Sequence, residues 1–214
     1  MDQRETEQQL LLQAREGDYD AFGDLQGLID PMLRRFIRRL IGMNDAEDDI
    51  LQSVYIALFK KMHTIEPVSN FRAYLFQMTR NRCYDELRSL GRYESVSIDD
   101  DDAPAEFNLA LTDVNDVPQS EEVAHWLLLQ LEVQDAMNRL PEVQRQTLIL
   151  YSEEEMSYAE IAEAMETTIG TVKSRLFYAK KTLRAHLRPE ILQALDFEFG
   201  NETAEPAEKV AALD

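Results

Sequence analysis

Apolar residues recur at three- and four-residue intervals through most of the chain, and β-branched alternation is scarce, so the pattern predicts helices throughout. The first, "ETEQQLLLQAREG", ends at Gly17. Asp18 or Asp20 then caps a second, with Ala21, Phe22, Leu25, Leu28 and Ile29 at helical spacing. Pro31 is expected to begin a new turn or a kink, because proline removes a backbone donor and crowds the preceding turn. Beyond it Leu33, Phe36, Ile37 and Leu40 form an apolar stripe, flanked by Arg34, Arg35, Arg38 and Arg39, and Gly42 stops the run. A third helix lies in "DAEDDILQSVYIALFKKM", acidic at its start and ending in Lys60 and Lys61, the polarity that a helix dipole favours. A fourth runs from Asn70 to about Leu90, with Gly91 as its stop signal.

The next stretch, "RYESVSIDDDDAPAEFNLALTDVNDVPQS", has no sustained period and reads as a linker. Helix resumes near Glu121, and Pro141 is placed at the first position of another helix. Ser157 and Glu160 then fit a capping box, in which each side chain satisfies the other's free backbone N–H, and predict a short helix over Tyr158–Met165. About three residues later Thr168 can cap a longer helix, so the pair predicts a helix-turn-helix. The fold class expected is all-α, with two small helical domains, 1–92 and 121–188, joined by an acidic flexible linker, 93–120, and followed by an acidic tail, 189–214. In the tail, "ILQALDFEF" could form a short amphipathic contact, but disorder is the expectation.

The formal net charge of −19 sharpens these boundaries, because the acids are concentrated in the connectors. From Tyr93 to Asn138 there are twelve acids and no lysine or arginine, and the tail carries seven acids against Lys209 alone. In the remaining segments acids and bases nearly cancel. The single cysteine, Cys83, excludes an internal disulfide framework and fits a reducing compartment. The N-terminus lacks a signal-peptide layout and no apolar run is long enough to span a bilayer, so a cytoplasmic protein without membrane insertion is expected.

Against this background "GTVKSRLFYAKKTLRAHLR" stands out, with six basic residues and no acid. At about 100° per residue, Ile169, Val172, Leu176, Ala179, Leu183 and Leu187 share one stripe, which should be the packed face. Gly170, Ser174, Phe177, Tyr178 and Lys181 fall opposite, with Lys173, Arg175 and Lys180 at the flanks. Small and polar side chains between cations suit a helix in a DNA major groove: the centre meets base edges and the flanks meet phosphates. A solvated basic face is the plainer alternative. The capped helix just upstream makes DNA binding the favoured one.

These residues resemble the sigma-70 family of bacterial transcription initiation factors, of the small extracytoplasmic-function (ECF) type. "NRLPEVQRQTLILYSEEEMSYAEIAEAMETTIGTVKSRLFYAKKTLRAHL" looks like domain 4 of that family, and "AREGDYDAFGDL", "PMLRRFIRRLIG", "EDDILQSVYIALFKKM" and "FRAYLFQMTRNRCYDELR" resemble successive parts of domain 2. The resemblance implies a promoter-specificity subunit with no enzymatic activity and no cofactor. It implies that Asp48, Asp49, Gln52 and Tyr55 dock on the clamp helices of the largest subunit of core RNA polymerase. Arg72, Tyr74, Arg80, Asn81 and Arg88 are implied in capturing the unwound −10 promoter strand, with the loop His63–Asn70 bordering a flipped base. Thr171, Lys173, Ser174, Arg175, Phe177, Tyr178 and Lys181 are implied in reading duplex DNA at the −35 element. Tyr74 and Phe76 are also candidates for the core, since aromatics at helical spacing usually pack inward. An anti-sigma factor is a common partner in the resembling family, although no residue here identifies one.

Two departures qualify the resemblance. Glu166 stands in the turn where glycine is common, and Ser53 follows Gln52 where the family often has glutamate. In the family the connector passes through polymerase channels that hold RNA, so Asp99–Asp102 could mimic RNA charge; a merely solvated linker is the equal alternative. No metal-ligand spacing, phosphate-binding glycine loop or nucleophile elbow is present. The competing function is a helix-turn-helix regulator that binds duplex DNA without being a polymerase subunit, and a helical decoy that binds polymerase without initiating is a third.

Overall fold

In a computed structural model, which describes residues 2–42, 45–90 and 121–194, the chain forms nine α-helices, two short 3-10 turns and no strand among those residues. The N-terminal half comprises α1 (Gln3–Arg15), α2 (Tyr19–Ile41), α3 (Glu47–Lys61) and α4 (Phe71–Ser89). The C-terminal half comprises α5 (Glu121–Asn138), α6 (Glu142–Ser152), α7 (Tyr158–Ala164), α8 (Ile169–His186) and α9 (Pro189–Ala194). The linker expected over 93–120 and the tail from 195 onward lie outside the described residues, with the aspartate run Asp99–Asp102 among them.

Local signals account for most of the helix ends. The Asp18 carboxylate accepts from the backbone N–H groups of Asp20 and Ala21 and opens α2. Ser157 and Glu160 form the capping box of α7, and the Thr168 hydroxyl accepts from the Thr171 N–H to start α8. At the C-terminus of α1, Gly17 takes a φ of +100°, with Gly17 N–H on the Ala14 carbonyl and Asp18 N–H on that of Gln13. This is the Schellman arrangement, for which glycine is the natural residue.

Glu166 ends α7 in the same way, with its N–H on Glu163 and the Thr167 N–H on Ala162, but at a φ of +52° that its Cβ disfavours. Glu166→Gly should therefore raise the unfolding free energy by roughly 0.5–1 kcal/mol, the left-handed penalty less glycine's extra entropy. Thermal unfolding checks this as an upward Tm shift of about 1–4 °C at this chain length.

Pro31 neither starts nor stops a helix: α2 runs through it from Tyr19 to Ile41. The apolar face continues on both sides of the proline, with Leu25, Ile29, Met32, Leu33, Phe36 and Ile37 all buried. Packing on that face outweighs the one backbone hydrogen bond that proline removes. Ile191 of α9 is buried too, so the start of the tail does form a short packed helix.

In the N-terminal half α2 is the spine, packed on α1, α3 and α4. Phe36 of α2 meets Phe76 of α4 edge to face at 5.0 Å between ring centroids, and both are fully buried. In the C-terminal half α8 rests on α5, α6 and α7, with Val172, Leu176, Ala179 and Leu183 inward. The two halves also meet, α4 lying on α7, and their buried apolar residues form a single connected cluster.

Candidate nucleic-acid interface

α8 presents its N-terminal turns outward behind the tight turn that follows α7, the arrangement by which a second helix reaches into a major groove. Gly170, Lys173, Tyr178 and Lys181 are exposed, and Thr171, Ser174 and Phe177 are partly so. Phe177 and Tyr178 meet edge to face at 5.4 Å. Behind the cations lie two rings that sequence reasoning did not single out: Lys173 sits 5.8 Å from the centre of Tyr158, and Lys180 5.1 Å from that of Tyr151. Such contacts hold the ammonium groups over the helix flanks while leaving them charged.

Two residues of this helix sit differently from the pattern. Arg175 is 8% exposed and packs among the inward side chains, so its guanidinium is withdrawn from the outward face. Ile169, expected on the packed stripe, is 46% exposed, because it is the first residue of α8 and projects past the helices beneath.

On α3, Asp49, Gln52, Ile56 and Phe59 are all exposed and recur at helical spacing, so they share a face, while Val54 and Leu58 are core. The aromatic end of that face is extended by Tyr19 and Phe22 of α2, whose rings lie 6.2 Å and 5.3 Å from Phe59. Asp48 is not a free acid: Arg34 holds it at 2.8 Å, Glu47 at 2.7 Å and Asp30 at 2.7 Å. Burial would raise the Glu47 carboxyl, but hydrogen bonds from Arg38 and Arg34 outweigh it and hold that group below the ordinary glutamate range. Tyr55 donates to Asp30 at 2.8 Å, and burial together with this bond pushes its phenol above the usual tyrosine range. Asp48 and Tyr55 therefore brace α2 against α3, and Asp49 and Gln52 are the polar groups of the exposed face.

α4 divides its polar residues between two surroundings. Asn81, Arg82 and Arg88 are exposed, with Asp85 at 3.6 Å from Arg82 and 2.5 Å from Arg88. Arg72, Tyr74 and Arg80 are covered to different degrees. Arg72 forms two hydrogen bonds to the buried carboxylate of Glu7, at 2.7 and 2.8 Å, which with the nearby acids hold its guanidinium charged despite burial. Arg80 is 4% exposed; it donates to Gln146 at 3.1 Å and lies over the Tyr84 ring at 4.9 Å. Tyr74 is half-buried and Phe76 is core.

The partner of Arg80, Gln146, belongs to α6, and it is one of several links between the halves. Arg4 meets Glu160 at 3.0 Å and also donates to the Glu154 and Glu155 carbonyls. Arg35 reaches Glu154 at 2.8 Å, Arg39 reaches Glu153 at 3.1 Å, and Arg72 donates to the Glu154 carbonyl at 3.3 Å. The Glu154 carboxyl is 3% exposed as part of its residue; burial pushes it above the glutamate range, with Arg35 opposing. Glu155, at a φ of +51°, closes the turn that carries these acceptors.

The segment His63–Asn70 forms two short 3-10 turns, Met62–Thr64 and Val68–Asn70, around a cis Glu66–Pro67 bond. Arg15 donates to the Met62 and Ile65 carbonyls and pins this segment to α1. Among the described residues no helix is long and apolar enough to cross a membrane.

A helix-turn-helix with a cationic outward face, joined to a helical bundle that carries an arginine-rich helix and an exposed mixed face, defines a two-part DNA-binding protein. The Sigma-70 region 2 model matches residues 29–93 and the Sigma-70, region 4 model matches residues 130–183. The ECF RNA polymerase sigma factor EcfG of Rhodopseudomonas palustris is 31% identical over 157 residues, 73% of this chain and 80% of that protein. The ECF RNA polymerase sigma-E factor of Haemophilus influenzae is 27% identical over 187 residues, 86% of this chain and 96% of that one. Among solved structures, the sigma factor RpoE of Bartonella quintana, in complex with the anti-sigma factor NepR, matches with a TM-score of 0.52 at 28% identity, covering 80% of this chain and 96% of that one. The chain belongs to the sigma-70 family, among its ECF members. It is a transcription initiation factor that binds core RNA polymerase and promoter DNA, and it is not an enzyme.

Proposed function

We propose a division of labour within that function. Residues 121–188 read the −35 element as duplex through α8, and residues 1–92 capture the unwound −10 strand on α4 and dock on the clamp helices of the polymerase through α3. The observation that carries this reading is the outward face of α8: Gly170, Ser174, Phe177, Tyr178 and Lys181 together, with Lys173 at its edge. Small and polar groups there can approach base edges while the ammonium groups pair with phosphates. On α4, Asn81 supplies a donor and an acceptor for the edge of an unstacked base, and Arg82 and Arg88 lie near it for the backbone. On α3, Asp49 and Gln52 supply polar contacts and Ile56 and Phe59 an apolar one. A cytoplasmic location follows from this role. An anti-sigma protein is a further proposed partner, on the strength of the RpoE–NepR complex.

Run-off transcription with purified core polymerase on promoters randomised separately at the −35 and −10 positions tests the assignment. Lys173→Ala with Lys181→Ala should weaken binding to the −35 duplex for every sequence alike and lower the slope of log affinity against log salt by about 2, one phosphate contact each. Gly170 or Ser174 replacements should instead change which −35 sequences are selected. If randomising the −35 positions leaves initiation unaffected, α8 is not the reader.

A further inference from the structure

Tyr151 and Tyr158 are seven residues apart in the chain, and so are Lys173 and Lys180. Folding sets the four side chains in one row. Lys173 lies 5.8 Å from the centre of Tyr158, the two rings are 5.6 Å apart, and Lys180 lies 5.1 Å from the centre of Tyr151. We propose that Tyr151 and Tyr158 are positioning residues for promoter duplex: an aromatic ledge that presets both ammonium groups on one flank of α8, toward the backbone of one DNA strand. This rests on the reading of α8 as the −35 helix.

The geometry of the helices favours such a role. Seven residues carry a helix through about 700°, so Lys173 and Lys180 stand almost in line, about 10.5 Å apart along the axis. In a helix-turn-helix the second helix enters the major groove while the first crosses the sugar-phosphate backbone. Tyr158 is the first residue of α7 and Tyr151 lies in the last turn of α6, so the ledge stands beside α8 at that crossing.

That the lysines rest on rings and not on carboxylates matters to their use. Glu153, Glu154, Glu155, Glu160, Glu163 and Glu166 occupy the stretch around the two tyrosines, yet among the described residues neither lysine is ion-paired. A carboxylate partner would cancel the charge that a phosphate requires. A ring face attracts the ammonium through its quadrupole and covers one side of it, leaving N–H donors to meet an oxygen. An unrestrained lysine also gives up the rotamer freedom of its four-carbon stem when it reaches a phosphate. On the ledge much of that ordering is complete before DNA arrives.

The test uses holoenzyme assembled from core polymerase and the full chain, with affinity for a labelled promoter duplex measured across a salt series. Tyr151→Leu with Tyr158→Leu should bind roughly five- to thirtyfold more weakly at every salt concentration, as expected when two lysine side chains must be ordered on binding. The slope of log affinity against log salt should not change, because the phosphate contacts are the same in number. Tyr151→Phe with Tyr158→Phe keeps both ring faces and should recover the affinity. Lys173→Ala with Lys180→Ala should weaken binding and lower the slope by about 2, one phosphate contact each. A further measurement needs no variant: in the free chain, ring currents should move the side-chain methylene protons of Lys173 and Lys180 upfield of those of the exposed Lys60 and Lys61. Full affinity in the leucine variant, phenylalanine as weak as leucine, an altered slope in the leucine variant, an unaltered one without the lysines, or lysine signals with no upfield shift each overturns the ledge. The reading of α8 is checked apart from it by the promoters randomised at the −35 positions. A holoenzyme indifferent to those positions removes the reader, whereas one that selects among them but loses nothing with the rings removes the ledge alone.

Discussion

Phe36→Ala is expected to lower the unfolding free energy by about 3–5 kcal/mol, the range for truncating a fully buried phenylalanine. Phe36 has no exposure, and its ring meets Phe76 edge to face, so the variant loses burial, an aromatic pair and the fit between α2 and α4 at once. A loss of that size is a large fraction of what a domain has available. Urea denaturation followed by circular dichroism measures it directly. The functional consequence concerns α4, whose placement depends on α2: open-complex formation should fail at temperatures where the unmodified protein still initiates. A loss below about 1 kcal/mol would mean that the cavity collapses and that α4 is positioned mainly by α3 and α7.

Asn81→Ala carries the second large effect, and it separates chemistry from folding. Asn81 is exposed on α4, so its removal should leave stability within about 0.5 kcal/mol, the range of ordinary surface changes. Losing the base-edge contact should cost about 1–3 kcal/mol, a drop of roughly five- to 150-fold in open-complex formation. Binding to core polymerase should not change. Permanganate footprinting of the melted promoter and a separate polymerase-affinity measurement provide the two readouts. Equal losses in both would identify Asn81 as structural.

Much of the fold was legible because its signals are local. The Ser157–Glu160 box, the Thr168 cap, Gly17 and the acids and lysines at the two ends of α3 each act within a turn of a helix end, and each sits where the pattern places it. Glu166 was flagged by residue type alone, and its positive φ follows from the Schellman turn that α7 needs. The errors arose where tertiary contacts decide. Continuous burial on both sides of Pro31 carries α2 through it, and no window around the proline contains that information.

The same limit shaped the site. Arg175 and Ile169 lie at similar angles from Val172, one on each side, and a helical wheel treats them alike apart from polarity. The helices beneath α8 cover Arg175 and leave the first turn free, the reverse of what polarity suggests. Asp48 offered a hint, since Asp30 and Arg34 stand four residues apart and mark a charged cluster, but its link to α3 required the packed bundle. The pairing of Arg35 with Glu154, or of Arg80 with Gln146, joins residues from opposite halves of the chain, and no spacing rule connects them.

The interior placement of Cys83 determines how this chain can receive signals. Burial pushes its thiol well above the ordinary cysteine range, so the reactive thiolate is scarce, and the helices around α4 deny reagents access. A sulfur so placed is deaf to peroxide and disulfide exchange while the bundle stays folded. Oxidation of Cys83 is therefore not a route by which the folded chain senses the redox state around it. For the experimenter the same sulfur is a silent clock, since its alkylation rate counts how often the bundle opens.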